Sequence, residues 1–170
     1  KRINELFWNG EHYIDWIDEG KKYSYFSTDG NVLAILWDIA DEDKARKIEE
    51  SSHIFDIHEV PSKSTHPSYQ GKLIAPLAKI VGLGNYHTEL SWIWLGALNA
   101  LAKHKLGMKK QAKELLKDIS SLIVEHDGVY EIYTKERKPV RNIIYKAEQP
   151  FAWSAGLFLY AANKKKKKND

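Results

Sequence analysis

Apolar positions in this chain gather into long runs separated by polar, aromatic-rich connections. Ile3 to Trp8 reads as the end of a helix that starts further upstream, and Asn9-Gly10 breaks it. Glu11 to Ile17 alternates, with Tyr13 and Asp15 against Ile14 and Trp16, as a short strand does. Asp18-Glu19-Gly20 turns the chain, and Tyr23 to Phe26 is a second extended piece. Ser27-Thr28-Asp29-Gly30-Asn31 is dense in capping residues, so a helix is expected over the apolar run Val32 to Trp37. Apolar all round, that helix belongs inside. Asp41 caps a second, strongly charged helix from Glu42 to about Ser52.

Ile54 to Tyr86 is a long connection with three prolines, Pro61, Pro67 and Pro76, and a segment of that length is often functional. A helix is expected from Thr88 to Leu106, with Trp92, Leu95, Leu98 and Leu101 in one apolar row and Gly107 at its end. Met108 to about Glu125 is amphipathic: Ala112, Leu115, Leu116, Ile119, Leu122 and Ile123 recur at helical spacing. Val129 to Tyr133 reads as a strand paired with Asn142 to Lys146, and Pro150 to Asn163 as a third buried helix without an outer partner.

The order of apolar helix, short turn and amphipathic helix repeats. It predicts an all-α toroid or solenoid of helical hairpins with two short β-hairpins on one face. That face carries the loops that enter the apolar helices, with Asp29 to Asn31, Asn85 to Glu89, Glu131 and Glu148-Gln149.

Composition and charge narrow the chemistry. The chain has 170 residues, 43% hydrophobic and 29% charged, enough for one folded domain over 1–163. The formal net charge of +3 comes from the Lys-rich tail over 164–170, expected to be disordered, which holds five lysines and one aspartate. The remainder is almost neutral and lacks the clustered Lys/Arg that nucleic acid demands. Gly82-Leu83-Gly84 is no phosphate loop, having two glycines and no Lys-Ser/Thr after them. Cysteine is absent, which excludes thiolate chemistry and fits a reducing cytoplasm. The longest uncharged run, Gln149 to Asn163, is too short and polar to span a membrane, and no secretory signal opens the chain. It opens at Lys1 and reads as part of a longer product. His53 and His58 stand five apart and the other histidines are scattered, so neither a metal nor a cofactor is expected. No Gly-x-Ser-x-Gly elbow marks a nucleophilic serine.

Three stretches together resemble the C-terminal part of the six-hairpin glycoside hydrolases. They are Tyr86-His87 ahead of Trp92 and Trp94, Gly128-Val129-Tyr130-Glu131, and Gln149-Pro150-Phe151-Ala152-Trp153-Ser154-Ala155-Gly156. These (α/α)6-barrel enzymes include glucoamylases, amylo-α-1,6-glucosidases of glycogen debranching and alkaline/neutral invertases. Phe7-Trp8 with Tyr13 to Trp16, and Asp29-Gly30-Asn31, resemble the invertase and debranching branch. The likeness spans Phe7 to Ala162. It departs from the family where Tyr-His-Asn-Gly and a later Trp-Pro are replaced by Tyr86-His87-Thr88-Glu89 and Trp92-Ile93-Trp94.

The resemblance implies the C-terminal half of a barrel and inverting hydrolysis of an α-glucosidic bond in an oligosaccharide or glucan. An inverting glycosidase uses an acid and a base carboxyl roughly 6.5–9.5 Å apart, with a water on the base side. Glu131 resembles the general base. The acid, usually an Asp, would come from the N-terminal half, as a missing segment or a partner chain. Glu148 rivals Glu131 as base, or complements a helix dipole, or binds a hydroxyl alongside Gln149. His87 and Trp92 could line the sugar, with Glu89 on the same face. Trp92 equally suits core packing, His87 a loop hydrogen bond, Asp29 an N-cap or a hydroxyl ligand, and Glu131 a solvent-facing strand. The alternative function is a non-catalytic α-hairpin module that binds carbohydrate or protein, or an inactive barrel fragment.

Overall fold

The computed structural model describes residues 1–164, so the tail expected over 164–170 lies, beyond Lys164, outside the described residues. Two strands, β1 (Ile14–Asp18) and β2 (Lys21–Ser27), follow a short first helix, α1 (Arg2–Phe7). Asp18 pairs with Lys21, leaving Glu19 and Gly20 as a two-residue turn, both at positive φ (45° and 80°). That is the hairpin turn whose twist suits antiparallel strands. β2 then pairs with β3 (Thr65–His66) through Phe26–His66 and Ser27–Thr65, completing an antiparallel three-stranded sheet. The remaining α-helices are α2 (Thr28–Leu36), α3 (Glu42–Ile54), α4 (Pro76–Ile80), α5 (Ile93–Lys105), α6 (Lys109–Glu125) and α7 (Ala152–Asn163), joined by connections without regular structure and one 3₁₀ turn, Gly71–Leu73.

The expected all-α toroid of helical hairpins is therefore incorrect; the fold is mixed, seven α-helices with a three-stranded antiparallel sheet among the described residues. The third strand comes from the proline-rich connection, where periodicity gave no strand. The second β-hairpin, expected over 129–146, does not form as a ladder. Asn142 Oδ1 accepts from the Ile144 and Tyr145 amides at 2.8 and 2.7 Å, an Asx-type turn that folds the segment on itself. Ile143 and Ile144 consequently face solvent. Only isolated bridges remain there, Tyr133–Pro139 and Arg141–Lys146.

Helix starts also move. α2 begins at Thr28, four residues before the apolar run, with Ser27 at its N-cap. α5 begins at Ile93 rather than Thr88, because the preceding amides are engaged elsewhere. Ser91 N–H donates to Tyr133 O at 3.0 Å and Trp92 N–H to Ser62 O at 2.8 Å. α3 starts where expected, Asp41 accepting from the Lys44 amide at 2.9 Å.

α5 is the central element and packs on α2, α6 and α7. Its apolar side is buried throughout, with Ile93, Leu95, Ala97, Leu98, Leu101 and Ala102 in the core. Gly96 lets the proline-rich connection cross it. A Cβ at Gly96 would stand 2.7 Å from the Pro61 carbonyl and 2.8 Å from Ile119 Cδ1. Asn31, 1% exposed, ties the hairpin to α2: its Oδ1 accepts from Tyr13 N–H (2.8 Å) and its Nδ2 donates to the Tyr13 and Ser27 carbonyls (2.9 Å each). At the other end of α5, Lys103 pairs with Glu49 inside the protein, His58 completing the group at 3.1 Å from Glu49 Oε1. Burial alone would raise the Glu49 carboxyl; the hydrogen bond and charge of His58, with Lys103, hold it below its usual value. α7 was expected to be wholly buried, yet only Ser154 and Ala161 are, and Trp153, Leu159 and Tyr160 are exposed. Its packing partners, α5 and α6, cover one side only. No helix among the described residues is long and apolar enough to cross a membrane.

Two outcomes follow from this packing. Gly96→Ala should lower stability by about 1–3 kcal/mol, since neither a backbone carbonyl nor a packed Ile yields readily; urea denaturation measures it, and an unchanged midpoint would show that the crossing relaxes. His12 is 4% exposed between Phe26 and Phe55, and burial lowers its pKa below 6.5. The unfolded chain then takes up a proton that the fold resists, so this contribution is complete above pH 6.5 and is lost as pH falls below it. His66, lowered likewise, acts in the same direction. The urea midpoint should drop between pH 7.5 and pH 5.5, and His12→Gln should flatten that drop.

Candidate active site

Glu131 is placed by its neighbours. Ile132 and Tyr133, the next two residues, are fully buried, and the Glu131 amide donates to Glu148 O at 3.0 Å. Tyr133 exchanges hydrogen bonds with Ser91 (3.0 and 2.9 Å), which also bridges to Lys63. Three connections, around residues 63, 91 and 133, are thus laid side by side, and each leads into the site.

The Glu131 carboxylate is held from both sides. Tyr86 Oη–H donates to one oxygen and Tyr145 Oη–H to the other. Each carboxylate oxygen has two lone pairs, so each keeps one for a further donor. Burial, and then the adjacent Glu131, push both phenols above their ordinary value, so they remain donors across the neutral range.

Glu131 lines two cavities. The first, of about 570 Å³, is closed on the far side by the hairpin and the start of α2, which contribute Asp15, Ser27 and Asp29. Tyr69 Oη–H donates to Asp15 Oδ2 at 2.5 Å, and Ser27 donates to Asp29. Burial raises the Asp15 pKa, the Tyr69 hydrogen bond opposes this and the nearby Asp29 charge adds to it. Aromatic walls complete the cavity: Trp92, Trp94, Phe151 and Trp153, the Trp94 and Trp153 rings 5.2 Å apart. Trp92 is 6% exposed, and its buried indole Nε1–H has no partner in the protein. Such a pocket, aromatic with a few convergent carboxylates, is suited to a polyhydroxylated ring with apolar C–H faces. The second cavity, about 620 Å³, lies on the other side of Glu131, with Tyr145, Lys146 and Glu148 on one wall. Tyr69, Tyr86, His87 and Glu131 line both and form the partition between them.

Of the residues singled out in the sequence, Asp29, His87, Trp92 and Glu131 meet in the first cavity, and Glu148 joins His87 and Glu131 in the second. Asp29 sits in the first turn of α2 and is not its N-cap. Gln149 and Glu89 line neither cavity. Gln149 donates to Asp127 O at 3.1 Å, its amide packed over Gly128, where a Cβ would collide with it. Glu89 is exposed and accepts from Ser68 Oγ at 2.8 Å. Sequence reasoning did not find Asp15, Tyr69 or Tyr145, and it used Tyr86 only as part of a motif. The alternation that gave β1 did put Asp15 on a strand between apolar neighbours. Tyr69 and Tyr145 lie in aperiodic segments that offer no such signal. Among the described residues no three His, Cys, Asp or Glu side chains come together as a metal-binding group.

The double hydroxyl clamp has a measurable signature. Tyr86→Phe and Tyr145→Phe should each cost about 1 kcal/mol, the usual value of one net hydrogen bond. In a Glu131→Ala background both costs should vanish, because the acceptor has gone. Equal losses in both backgrounds, measured by urea denaturation as a double-mutant cycle, would mean that something other than Glu131 holds the tyrosines. Comparison of the chain with protein-family models and with curated proteins finds no match, so the likeness to glycosidases rests on the residues alone.

Proposed function

We propose that this chain carries the base side of a glycosidase site, acting on an α-glucosidic bond of an oligosaccharide or glucan with inversion. The observation that carries the reading is the position of Glu131. Its carboxylate is pinned by two tyrosine hydroxyls at the partition of two cavities, one of them aromatic and holding two further carboxylates. Asp15 and Asp29 would accept from sugar hydroxyls, and the indole faces would cover the ring. Glu131 would take a proton from a water through its remaining lone pairs as that water attacks the anomeric carbon.

Inversion also needs a proton donor for the leaving oxygen. The resemblance assigns it to another segment or a partner polypeptide. Within this chain, Asp15 is the carboxyl of the cavity whose burial favours its protonated form, as a donor requires. The absence of cysteine supports a reducing, cytoplasmic setting.

Glu131→Gln should lower glucose release from α-linked oligosaccharides by about 10²–10⁴-fold while sugar affinity, measured by calorimetry, is kept. The assay uses the purified protein with any polypeptide that accompanies it. Unchanged turnover would remove Glu131 from the role and promote Glu148. Asp15→Asn separates the two sources of the donor: lost turnover assigns it to Asp15, retained turnover to another chain or segment. Sugar binding with no wild-type turnover would leave a non-catalytic carbohydrate module.

A further inference from the structure

We infer that Asn142 is a positioning residue for Glu131, and that it ties the outer wall of the second cavity, residues 71–84, to the clamp on that carboxylate. The tie itself stands on hydrogen bonds; its effect on turnover rests on the glycosidase reading above.

Asn142 uses the two ends of its amide differently. Its Oδ1 accepts from the Ile144 and Tyr145 amides at 2.8 and 2.7 Å, and its own N–H donates to Tyr145 O at 2.8 Å. Ile143 and Ile144 are exposed, so no apolar packing fixes the tip of this turn. The three hydrogen bonds set the Tyr145 backbone, and the Tyr145 hydroxyl donates to Glu131 Oε2. A turn of this kind asks only for an acceptor from the side chain. The other end, Nδ2, is free to donate elsewhere and does so to Val81 O at 3.2 Å.

The wall that receives this bond has little else to hold it. It contains the turn Gly71–Leu73 and α4, and none of residues 71–84 is buried. Its backbone hydrogen bonds close within the same stretch, as Lys79 N–H does on Ala75 O and Leu83 N–H on Ala78 O. Leu83 packs on the cluster around Trp92 and Ile132. Among the described residues, Asn142 supplies the one side-chain hydrogen bond that reaches 71–84 from outside. Gly82 comes so close that a Cβ there would stand 2.9 Å from Asn142 Nδ2. A segment with few buried contacts opens at low free energy. Leu73, Ile74 and Ala78 line the second cavity, so movement of that wall acts on the residue that fixes Tyr145 against Glu131.

Two substitutions separate the two ends. Asn142→Asp keeps an oxygen for the Ile144 and Tyr145 amides and loses the donor to Val81; Asn142→Ala loses both. Native-state trypsin digestion, read by mass spectrometry, follows the wall through cleavage after Lys72 and Lys79. Both variants should be cut there about fivefold faster than wild type, with cleavage after Lys117 in α6 unchanged. Turnover of maltotriose and isomaltotriose, by the purified protein with any polypeptide that accompanies it, follows the clamp. Asn142→Ala should lower kcat roughly tenfold, the worth of one hydrogen bond to a charged group, and adding Tyr145→Phe should lower it no further. Asn142→Asp should restore kcat. Unchanged cleavage at Lys72 and Lys79 in both variants would overturn the tie to the wall. Losses that multiply in the double variant would overturn the positioning role, as would Asn142→Asp losing as much as Asn142→Ala. If neither sugar is turned over, the glycosidase reading fails and the same cycle is decided on urea midpoints. The shift caused by Tyr145→Phe should then disappear in the Asn142→Ala background, and its survival there would overturn the role.

Discussion

Everything in the candidate site hangs from Ser91. This buried residue exchanges backbone hydrogen bonds with Tyr133 and bridges to Lys63, so three segments far apart in sequence are fixed beside one another. From the first comes Thr65, whose hydroxyl holds the His87 carbonyl at 2.9 Å and whose backbone pairs with β2. The second leads into Trp92 and α5, and the third follows directly from Glu131. Paired backbone groups are costly to leave open inside a protein, so this small ladder ties the hairpin to Glu131. It also accompanies the delayed start of α5: Trp92 stays extended as the N-cap, its amide donating to Ser62 O while its carbonyl accepts from Gly96.

The ladder leans on Gly96. The connection that brings Lys63 to Ser91 crosses α5 at Pro61, at a distance no side chain would permit. A glycine inside a helix is ordinarily a cost of about 1 kcal/mol relative to alanine. Here it admits the one crossing that lets a proline-rich segment reach the sheet edge as β3 and then supply Tyr69 to the site.

The helices were legible because their signal is local. Apolar spacing marked α5, α6 and α7 within a few residues of their ends, and Asp41 announced α3. The hairpin was legible too, from Glu19-Gly20 and the alternation around it. What could not be seen was everything that depends on distant pairing. β3 is two residues long and has no pattern of its own; it exists because β2 offers an edge. The 129–146 strands failed for the opposite reason: their β-favouring residues were real, but Asn142 supplied a local turn that competes with a ladder. The weight given to repeated helix pairs then pulled the whole fold toward an all-α arrangement that the sheet excludes. The same division runs through the site. Asp29, His87, Trp92, Glu131 and Glu148 stood near helix entrances or motifs, and the structure brings them to the two cavities. Tyr69 and Tyr145 reach Asp15 and Glu131 across 54 and 14 positions of sequence, and no spacing rule connects them.

Those two tyrosines change what the carboxylates can do. Asp15 and Asp29 stand close enough that the charge of one raises the pKa of the other, and burial adds to the same tendency. Left alone, a cluster of that kind would shed charge by holding protons. Glu131 is supplied differently, with a phenol on each oxygen and neither phenol able to ionise near neutrality. One cavity therefore contains a carboxyl that burial biases toward keeping its proton and another whose two oxygens each accept from a phenol. Glycoside hydrolysis in general needs carboxyls in different environments, one to give a proton and one to take it. Burial and the Asp29 charge bias Asp15, Tyr69 opposes that bias, and Tyr86 and Tyr145 fix where the Glu131 carboxylate stands.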